Sequence, residues 1–364
     1  MQNIIIYILW GTFGIQMFYF LYFYFRIIFR VKKKQLKDNN KAVSVIISAK
    51  NEADNLKNFL PKILNQNYTK FEIIVINDAS GDETLNVLNE FAEKYKQLKI
   101  INITRSLGKK NAVTKGIEAS KYDFLLFTDA DCYPVSENWI LSMIQGFDNN
   151  SEIVLGYGAY EYEKSFLNKL IRFDTLFIAM KYLSFAKAGF PYMGVGRNLA
   201  YKKSLFINNK GFNSHKNILS GDDDLFVSEV ANKKNVAFVT TISGITKSVP
   251  KKTWKELLHQ KTRHLTTGVK YKFIHKILLG IEVFSQLIFY LSLIYLCLLQ
   301  VSVYQALILY FVRLIFLIYL SVKFSKVLNE KKNIIFIPIF DVLIPLLNLY
   351  AAISNRFIKK STWK

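Results

Sequence analysis

The residues best suited to chemistry in this 364-residue chain are two aspartates, Asp129 and Asp131, separated by one residue. They follow the apolar run Phe124–Phe127, which is typical of a buried strand. Because an unpaired buried carboxylate is costly, carboxylates at a strand end normally face water, a cation or a phosphate. Two such oxygen ligands suit a hard divalent cation that keeps phosphate and water in its other positions. The alternative is a turn in which an aspartate only caps the next helix.

Other acidic residues follow other apolar runs. Glu52 comes shortly after residues 43–47, and Asp78 comes directly after residues 71–76. Ligands of parallel sheets bind outside the carboxyl ends of the strands, so these side chains together predict a nucleotide-type site. Three further aspartates, at 222–224, open a predicted helix. The helix dipole accounts for part of that pattern, but three acids in a row exceed what capping needs, which favours a function.

The elements that must position these residues lie within residues 42–250, where short apolar strands alternate with helical patterns. This alternation predicts an α/β domain with a mostly parallel sheet and helices on both faces. The predicted strands are 43–47, 71–76, 98–103 and 124–128, and the predicted helices between them are 54–64, a segment from 84 onward, and 111–119.

Apolar residues concentrate at the two ends of the chain. Residues 1–30 predict an N-terminal transmembrane anchor, because an uncharged run there is long enough to cross a bilayer. Residues 277–355 predict a C-terminal membrane region with two clear spans. A weaker third segment at 333–354 is interrupted by Pro338, Asp341 and Pro345, and the sequence leaves open whether it crosses.

Basic residues lie next to these apolar runs. Residues 251–276 are basic and amphipathic, which predicts a helix on an anionic membrane surface. The net charge of +22 is explained better by lipid headgroups than by nucleic acid, since much of it borders the spans. The positive-inside bias places the N-terminus outside and the central domain in the cytoplasm of a multi-pass membrane protein. With only two cysteines, no disulfide framework is predicted, and Cys132 is interpreted as a small packing residue.

Six segments along the chain form an ordered set of motifs, at 43–52, 75–82, 108–112, 128–131, 196–201 and 221–225. Together they resemble the motifs of the family 2 glycosyltransferases with the GT-A fold. The resemblance covers about Val43 to Gly268, and the flanking spans are similar to those of membrane-bound members such as cellulose, hyaluronan and poly-N-acetylglucosamine synthases. It implies a Rossmann-like, mostly parallel sheet that binds a nucleotide-diphosphate sugar.

The resemblance also implies roles for single residues. The donor would be a UDP-sugar, with Glu52 and Asp78 on the nucleoside and Ala49 lining the uracil site. Asp129 and Asp131 would bind Mg²⁺ or Mn²⁺ bridging the diphosphate. Further diphosphate contacts would come from Lys109, with Lys110 as the alternative, and from Arg197 and Arg263.

The second acidic cluster aligns with the motif that carries the family's general base. The alignment places that base at Asp222, with Asp223 as the alternative. The base would take a proton from an acceptor hydroxyl as the hydroxyl attacks the anomeric carbon. A single in-line attack inverts the configuration, unlike the two-carboxylate route through a covalent intermediate.

One departure concerns the acceptor side. Synthases of long chains carry Gln-x-x-Arg-Trp on an interface helix, whereas here Gln260 and Arg263 are followed by His264. The missing aromatic platform puts a long polymer in doubt, although a processive polysaccharide synthase remains an alternative. The favoured hypothesis is an inverting transferase acting on a lipid-linked or glycan acceptor at the membrane. A silent nucleotide-sugar-binding or scaffold subunit is the other alternative, and the sequence does not determine the oligomeric state.

Overall fold

The computed structural model describes residues 2–28, 41–148, 150–218, 220–331 and 333–354. Most strands within these ranges are short, and the longest ones lie near the N-terminal end of the central domain. They are β1 Val43–Ala49, β2 Phe71–Asp78, β3 Leu98–Ile103, β4 Phe124–Phe127, β5 Cys132–Pro134, β6 Ile153–Leu155, β7 Gly158–Tyr160, β8 Leu199–Lys202, β9 Val236–Phe238 and β10 Thr246–Ser248.

The helices divide into those that flank the sheet and those that form a separate apolar bundle. They are α1 Gln2–Phe18, α2 Phe25–Ile28, α3 Ala53–Leu64, α4 Thr84–Lys94, α5 Lys109–Ala119, α6 Trp139–Ile144, α7 Phe166–Lys187, α8 Lys203–Asn208, α9 Asp224–Val230, α10 Trp254–Gly268, α11 Phe273–Leu298, α12 Val303–Val327 and α13 Ile337–Ser354. A π-helical segment, Tyr19–Tyr24, joins α1 to α2.

The main sheet has seven strands in the order β3-β2-β1-β4-β8-β6-β9. Strands β3, β2, β1 and β4 are mutually parallel, whereas β8 runs antiparallel to both β4 and β6. The prediction of a mostly parallel sheet is therefore confirmed. A second sheet of three short strands, in the order β5-β10-β7, lies beyond the end of β4.

Both faces of the main sheet are covered. All seven residues of β1 are buried, and its side chains alternate between two apolar clusters. Ile46 packs in the cluster that includes residues of α5 and α7, and Val45 packs in the cluster that includes residues of α3 and α6. This two-sided burial explains why the strand is rich in β-branched residues on both faces, Val43, Val45 and Ile47 on one and Ile46 on the other.

Four helical segments are long and apolar enough to cross a membrane: Ile4–Ile28, Phe273–Leu298, Val303–Val327 and Ile334–Ser354. The segment at 333–354 is thus a helix in spite of its prolines. Pro338 occupies its first turn, where a missing N–H costs little, and Asp341 has a partner inside the bundle.

A polar cluster joins all four segments inside this bundle. Arg313 of α12 donates to Gln16 of α1, to the hydroxyl of Tyr290 on α11 and to both carboxylate oxygens of Asp341 on α13. Gln286 of α11 also donates to Asp341 through a 2.8 Å bond. Each charge therefore has its partner, as buried charges require.

The structure refines two of the predicted boundaries. The predicted interface helix at 251–276 corresponds to α10, which ends at Gly268, while residues from Phe273 onward begin α11. Of the three acids at 222–224, only Asp224 lies inside helix α9. The predicted domain ends at 30 and 355 lie outside the described residues.

Candidate active site

The predicted site residues meet at the carboxyl ends of the parallel strands. Ala49 ends β1 and pairs in register with Asn77, so it lies beside Asp78 at the end of β2. Asp129 and Asp131 follow β4, which pairs with β1 on its other side. The parallel order of β2, β1 and β4 brings these four residues to one edge.

Asp129, Asp131 and Cys132 form a group whose potential ligand atoms all lie within 4.8 Å of one another. The Cys132 thiol is a poor ligand because burial raises its pKa well above the usual value, and it donates to Asp131 instead. Its sulfur also lies 2.8 Å from the hydroxyl of Ser248 on β10. The remaining ligands are carboxylate oxygens, which fit a hard divalent cation. Cys132 therefore packs and positions Asp131.

Burial and the neighbouring Asp129 charge raise the pKa of Asp131. Burial acts in the same direction on Asp129, but Lys109, Arg197 and Arg263 together outweigh it and lower the pKa of that carboxyl. The two aspartates thus have pKa values shifted in opposite directions. A bound cation would favour the ionised form of both.

Lys109 connects Asp129 of the first acidic pair to Asp222 of the second acidic cluster. Its Nζ lies 2.9 Å from Asp129 and 3.0 Å from Asp222. Burial alone lowers the pKa of Lys109, but the surrounding carboxylates outweigh it and raise the pKa well above its usual value. Lys110 points elsewhere, since its Nζ donates to the carbonyls of His215 and Ile218. Of the two predicted lysines, the fold brings Lys109 to the acids.

The three consecutive aspartates have three different environments. Asp223 accepts hydrogen bonds from the backbone N–H groups of Gly196 at 2.6 Å and Asp224 at 2.7 Å. Each of its carboxylate oxygens is therefore occupied by a backbone donor. Asp224 is buried and accepts from the hydroxyls of Thr267 and Tyr271, which ties α9 to the end of α10. Asp222 instead faces Lys109 in the cleft.

Asp223 also differs from an ordinary carboxyl in its protonation. Burial, followed by the charges of Asp222 and Asp224, raises the pKa of Asp223 to about 7. Its hydrogen bonds to backbone N–H groups favour the ionised form but do not offset these effects.

The predicted nucleoside side is partly satisfied by neighbouring side chains. Asp78 is fully buried, and one oxygen accepts from Ser106 at 2.6 Å. Its other oxygen, Oδ1, finds no hydrogen-bond donor in the described part of the chain. Glu52 is buried at the start of α3 and accepts from Asn55, while its own N–H donates to Thr84. An orphaned buried oxygen at Asp78 is typical of a site that completes its bonding with a ligand.

Helix α10 reaches the same cleft through Gln260, whose amide donates to the hydroxyl of Tyr160 at 3.0 Å. The guanidinium of Arg197 lies over the Tyr160 ring, 4.4 Å from its centroid. Arg197 and Arg263 both act to lower the pKa of Asp129, which indicates that the two cations face the acidic pair.

His264 follows Arg263 on α10, and its ring is accessible to solvent at the surface of the cleft. The surrounding protein and then the nearby cations, Arg263 first, lower its pKa. These cations favour the neutral form of the His264 ring.

Sequence reasoning missed Tyr160 and gave no role to Tyr201, although Tyr201 ends the motif at 196–201. Tyr201 on β8 lines a small pocket with Lys109, Asp222 and Asp223. Gly158 is an indirect signal for Tyr160. A Cβ at position 158 would lie only 3.0 Å from Nε of Arg197, the residue whose guanidinium lies over the Tyr160 ring. A glycine two residues before an aromatic residue is too common a pattern to identify such a site alone.

Residues 44–209 match the family described as Glycosyl transferase family 2. These residues form a family 2 glycosyltransferase domain. Its sheet is the mixed, mostly parallel sheet of the GT-A transferases, as the motifs predicted. The resemblance stated from the sequence is therefore confirmed for this part of the chain.

Two curated proteins are similar to part of this chain. A poly-β-1,6-N-acetyl-D-glucosamine synthase of Staphylococcus epidermidis is 28% identical over 130 residues, which are 35% of this chain and 31% of that protein. The synthase of Staphylococcus aureus is 28% identical over 156 residues, covering 41% of this chain and 37% of that protein. The matched part of this chain thus spans about a third of either synthase.

A solved structure matches over nearly the whole length. The mannosyltransferase PcManGT from Pyrobaculum calidifontis, in complex with GDP-Man and Mn²⁺, superposes with a TM-score of 0.66 and covers 99% of each chain. At 18% sequence identity, this similarity concerns the fold.

Proposed function

We propose that this glycosyltransferase is anchored in a membrane and transfers a sugar, with inversion, from a nucleotide-diphosphate donor to a lipid-linked or glycan acceptor. The observation that carries the proposal is the continuous line of Asp131, Asp129, Lys109 and Asp222 at the carboxyl ends of the strands. This line holds a cation site, a phosphate-binding cation and a base in one cleft.

The donor nucleoside would bind at Ala49, Glu52 and Asp78, where Asp78 Oδ1 is buried without a partner among the described residues. A base or ribose donor would satisfy this oxygen. The archaeal neighbour was solved with GDP-Man, and the sequence resemblance favours UDP, so the donor class is a nucleoside diphosphate sugar.

Asp129 and Asp131 would hold Mg²⁺ or Mn²⁺, and PcManGT was solved with Mn²⁺. Such a cation offsets the charge that builds on the departing diphosphate. Lys109, released from its carboxylate partners, would contact the same diphosphate, and Arg197 and Arg263 would add positive charge.

Asp222 would serve as the general base. Asp223 is the weaker candidate because both its oxygens accept hydrogen bonds from backbone N–H groups, whereas Asp222 forms its ion pair within the described residues with Lys109. When the donor diphosphate engages Lys109, the Asp222 carboxylate becomes available to an acceptor hydroxyl. That hydroxyl would transfer its proton to Asp222 while its oxygen bonds to the anomeric carbon and the diphosphate leaves.

The acceptor would approach along α10, past Gln260 and His264. Four helical segments suited to a membrane lie against this domain. The basic segments at their ends favour a cytoplasmic cleft beside an anionic membrane surface.

The test uses the full chain in detergent with native lipids, a panel of nucleotide sugars and Mg²⁺ or Mn²⁺. Asp222→Asn should lower turnover by about a hundredfold or more while donor affinity stays near wild type. Asp54→Asn, at an exposed position on α3, is the matched control and should behave as wild type. A loss of donor affinity in Asp222→Asn equal to the loss of turnover would make Asp222 structural and refute the assignment.

The product distinguishes the proposal from the alternatives. Label in a lipid extract or on a short glycan supports it, whereas label in a large water-soluble product would identify a processive synthase. Bound donor nucleotide without release in any condition would indicate a scaffold subunit.

A further inference from the structure

A second polar pocket lies away from the catalytic cleft, between α7 and the connection from α12 to α13. We call it the α7–α12 pocket, and its polar lining residues are Arg172, Ser321, Ser325, Glu330, Lys331 and Asn333. Its walls also include Phe173 and Ile337, so it combines charge with an apolar surface. None of these residues takes part in the proposed reaction.

Arg172 places a buried guanidinium in this pocket, and two of its nitrogens lack hydrogen-bond acceptors among the described residues. The side chain is only 4% exposed, and its Nη2 donates to Glu330. Its Nε and Nη1 are buried and have no acceptor within the described residues. Glu330 is already engaged, since it also accepts from the hydroxyl of Tyr157 at 3.0 Å. Buried guanidinium N–H groups without acceptors are costly, which points to an oxygen-rich ligand at this place.

Two lysines add positive charge at the rim. Lys331 is exposed, and its Nζ lies 3.8 Å from the centroid of the Tyr162 ring. Lys169 lies on the same side, with its Nζ 4.3 Å from the centroid of the Phe336 ring. Of the residues that line the pocket, Arg172 and Lys331 are cations and Glu330 is an acid, so the lining carries net positive charge.

The surroundings select the kind of anion. The pocket lies where α12 ends and the fourth long segment begins, beside the exposed side chains of Tyr162, Phe166 and Ile335. Aromatic and basic side chains at the ends of apolar helices are typical of the lipid headgroup level. A ligand here would meet cations at one end and apolar surface at the other.

We propose that the α7–α12 pocket binds the phosphate group of an anionic membrane lipid, with Arg172 and Lys331 as its donors. The lipid is a bound component of the membrane rather than the sugar acceptor. This inference uses the membrane placement but not the proposed reaction, so loss of activity does not bear on it.

The experiment measures lipid binding to the delipidated full chain by native mass spectrometry. Phosphatidylglycerol is compared with phosphatidylcholine, and inorganic phosphate is added as a competitor. Lys331→Gln and Arg172→Lys should each weaken phosphatidylglycerol binding by about tenfold, because each removes or misplaces charge-assisted hydrogen bonds. Arg172→Lys keeps a cation beside Glu330, and exposed Lys331 is not needed for packing, so both variants should fold.

Lys326→Gln is the matched control, since Lys326 is exposed near the same end of α12 but does not line the pocket. It should change phosphatidylglycerol binding by less than about twofold. Equal binding of the two lipids, or unchanged binding in both pocket variants, would overturn the proposal. Binding of inorganic phosphate without any binding of phosphatidylglycerol would also overturn it, because the pocket would then be a site for free phosphate.

Discussion

Replacing Asp341 by leucine would leave the Arg313 guanidinium inside the helical bundle without its carboxylate. Arg313 is 2% exposed and Asp341 is 4% exposed, so water cannot take the place of the lost partner. Removing one member of a buried ion pair costs about 3 to 5 kcal/mol. Since Gln16 and Tyr290 still accept from Arg313, we expect the lower end, about 3 kcal/mol.

The assay is thermal unfolding of the full chain in lipid nanodiscs. For a chain of 364 residues, a loss of about 3 kcal/mol corresponds to a fall in Tm of about 4 °C. The double variant Arg313→Met with Asp341→Leu should recover most of that loss, because an apolar pair of similar volume replaces both charges. Asp54→Leu, at an exposed position of α3, should change the free energy of unfolding by less than about 0.5 kcal/mol.

A single variant as stable as the wild-type chain would refute the reasoning. So would a double variant less stable than Asp341→Leu alone. Either result would mean that the polar cluster does not hold the fourth helical segment against the other three.

Two further predictions concern the cleft. Asp131→Asn should remove metal-dependent turnover and weaken donor binding by at least about tenfold, as measured by nucleotide titration with and without Mn²⁺; wild-type rates in this variant would refute the metal assignment. The pKa of Asp223 is raised from 3.8 to about 7, so between these pH values the folded state keeps a proton that the unfolded state releases. The stability that this proton contributes is fully present below about pH 4 and is lost as pH rises to 7. Asp223→Asn should therefore flatten the fall in Tm between about pH 5 and 7.5, and an unchanged slope, equal to that of Asp54→Asn, would contradict it.

The sequence was most informative where one local pattern determines both the strand and its chemistry. The apolar run before Asp129 could end only at the edge of a sheet, and the same argument applied to Asp78 at the end of β2. Because parallel strands share one carboxyl edge, these residues could be placed together without any long-range information.

Contacts between distant residues were harder to predict. Nothing in the local pattern distinguishes Lys109 from Lys110. In the fold, Lys109 reaches Asp129 and Asp222, whereas Lys110 reaches the carbonyls of His215 and Ile218. The prolines and Asp341 made the last segment look weak, because its stabilising partner Arg313 lies 28 residues away. The three-residue strands of the second sheet are too short to give a period.

Lys261 on α10 donates to Asp174 on α7 at 2.7 Å and to Asn348 on α13 at 2.9 Å. Its neighbour Gln260 bonds to Tyr160 in the cleft. Two adjacent residues of α10 therefore form hydrogen bonds in different places, Gln260 in the cleft and Lys261 with α13. A shortened chain that ends before α13 would keep the strand ends of the proposed donor site but would lose the contact between α10 and Asn348. Donor binding alone is therefore a poor test of whether such a shortened chain is intact.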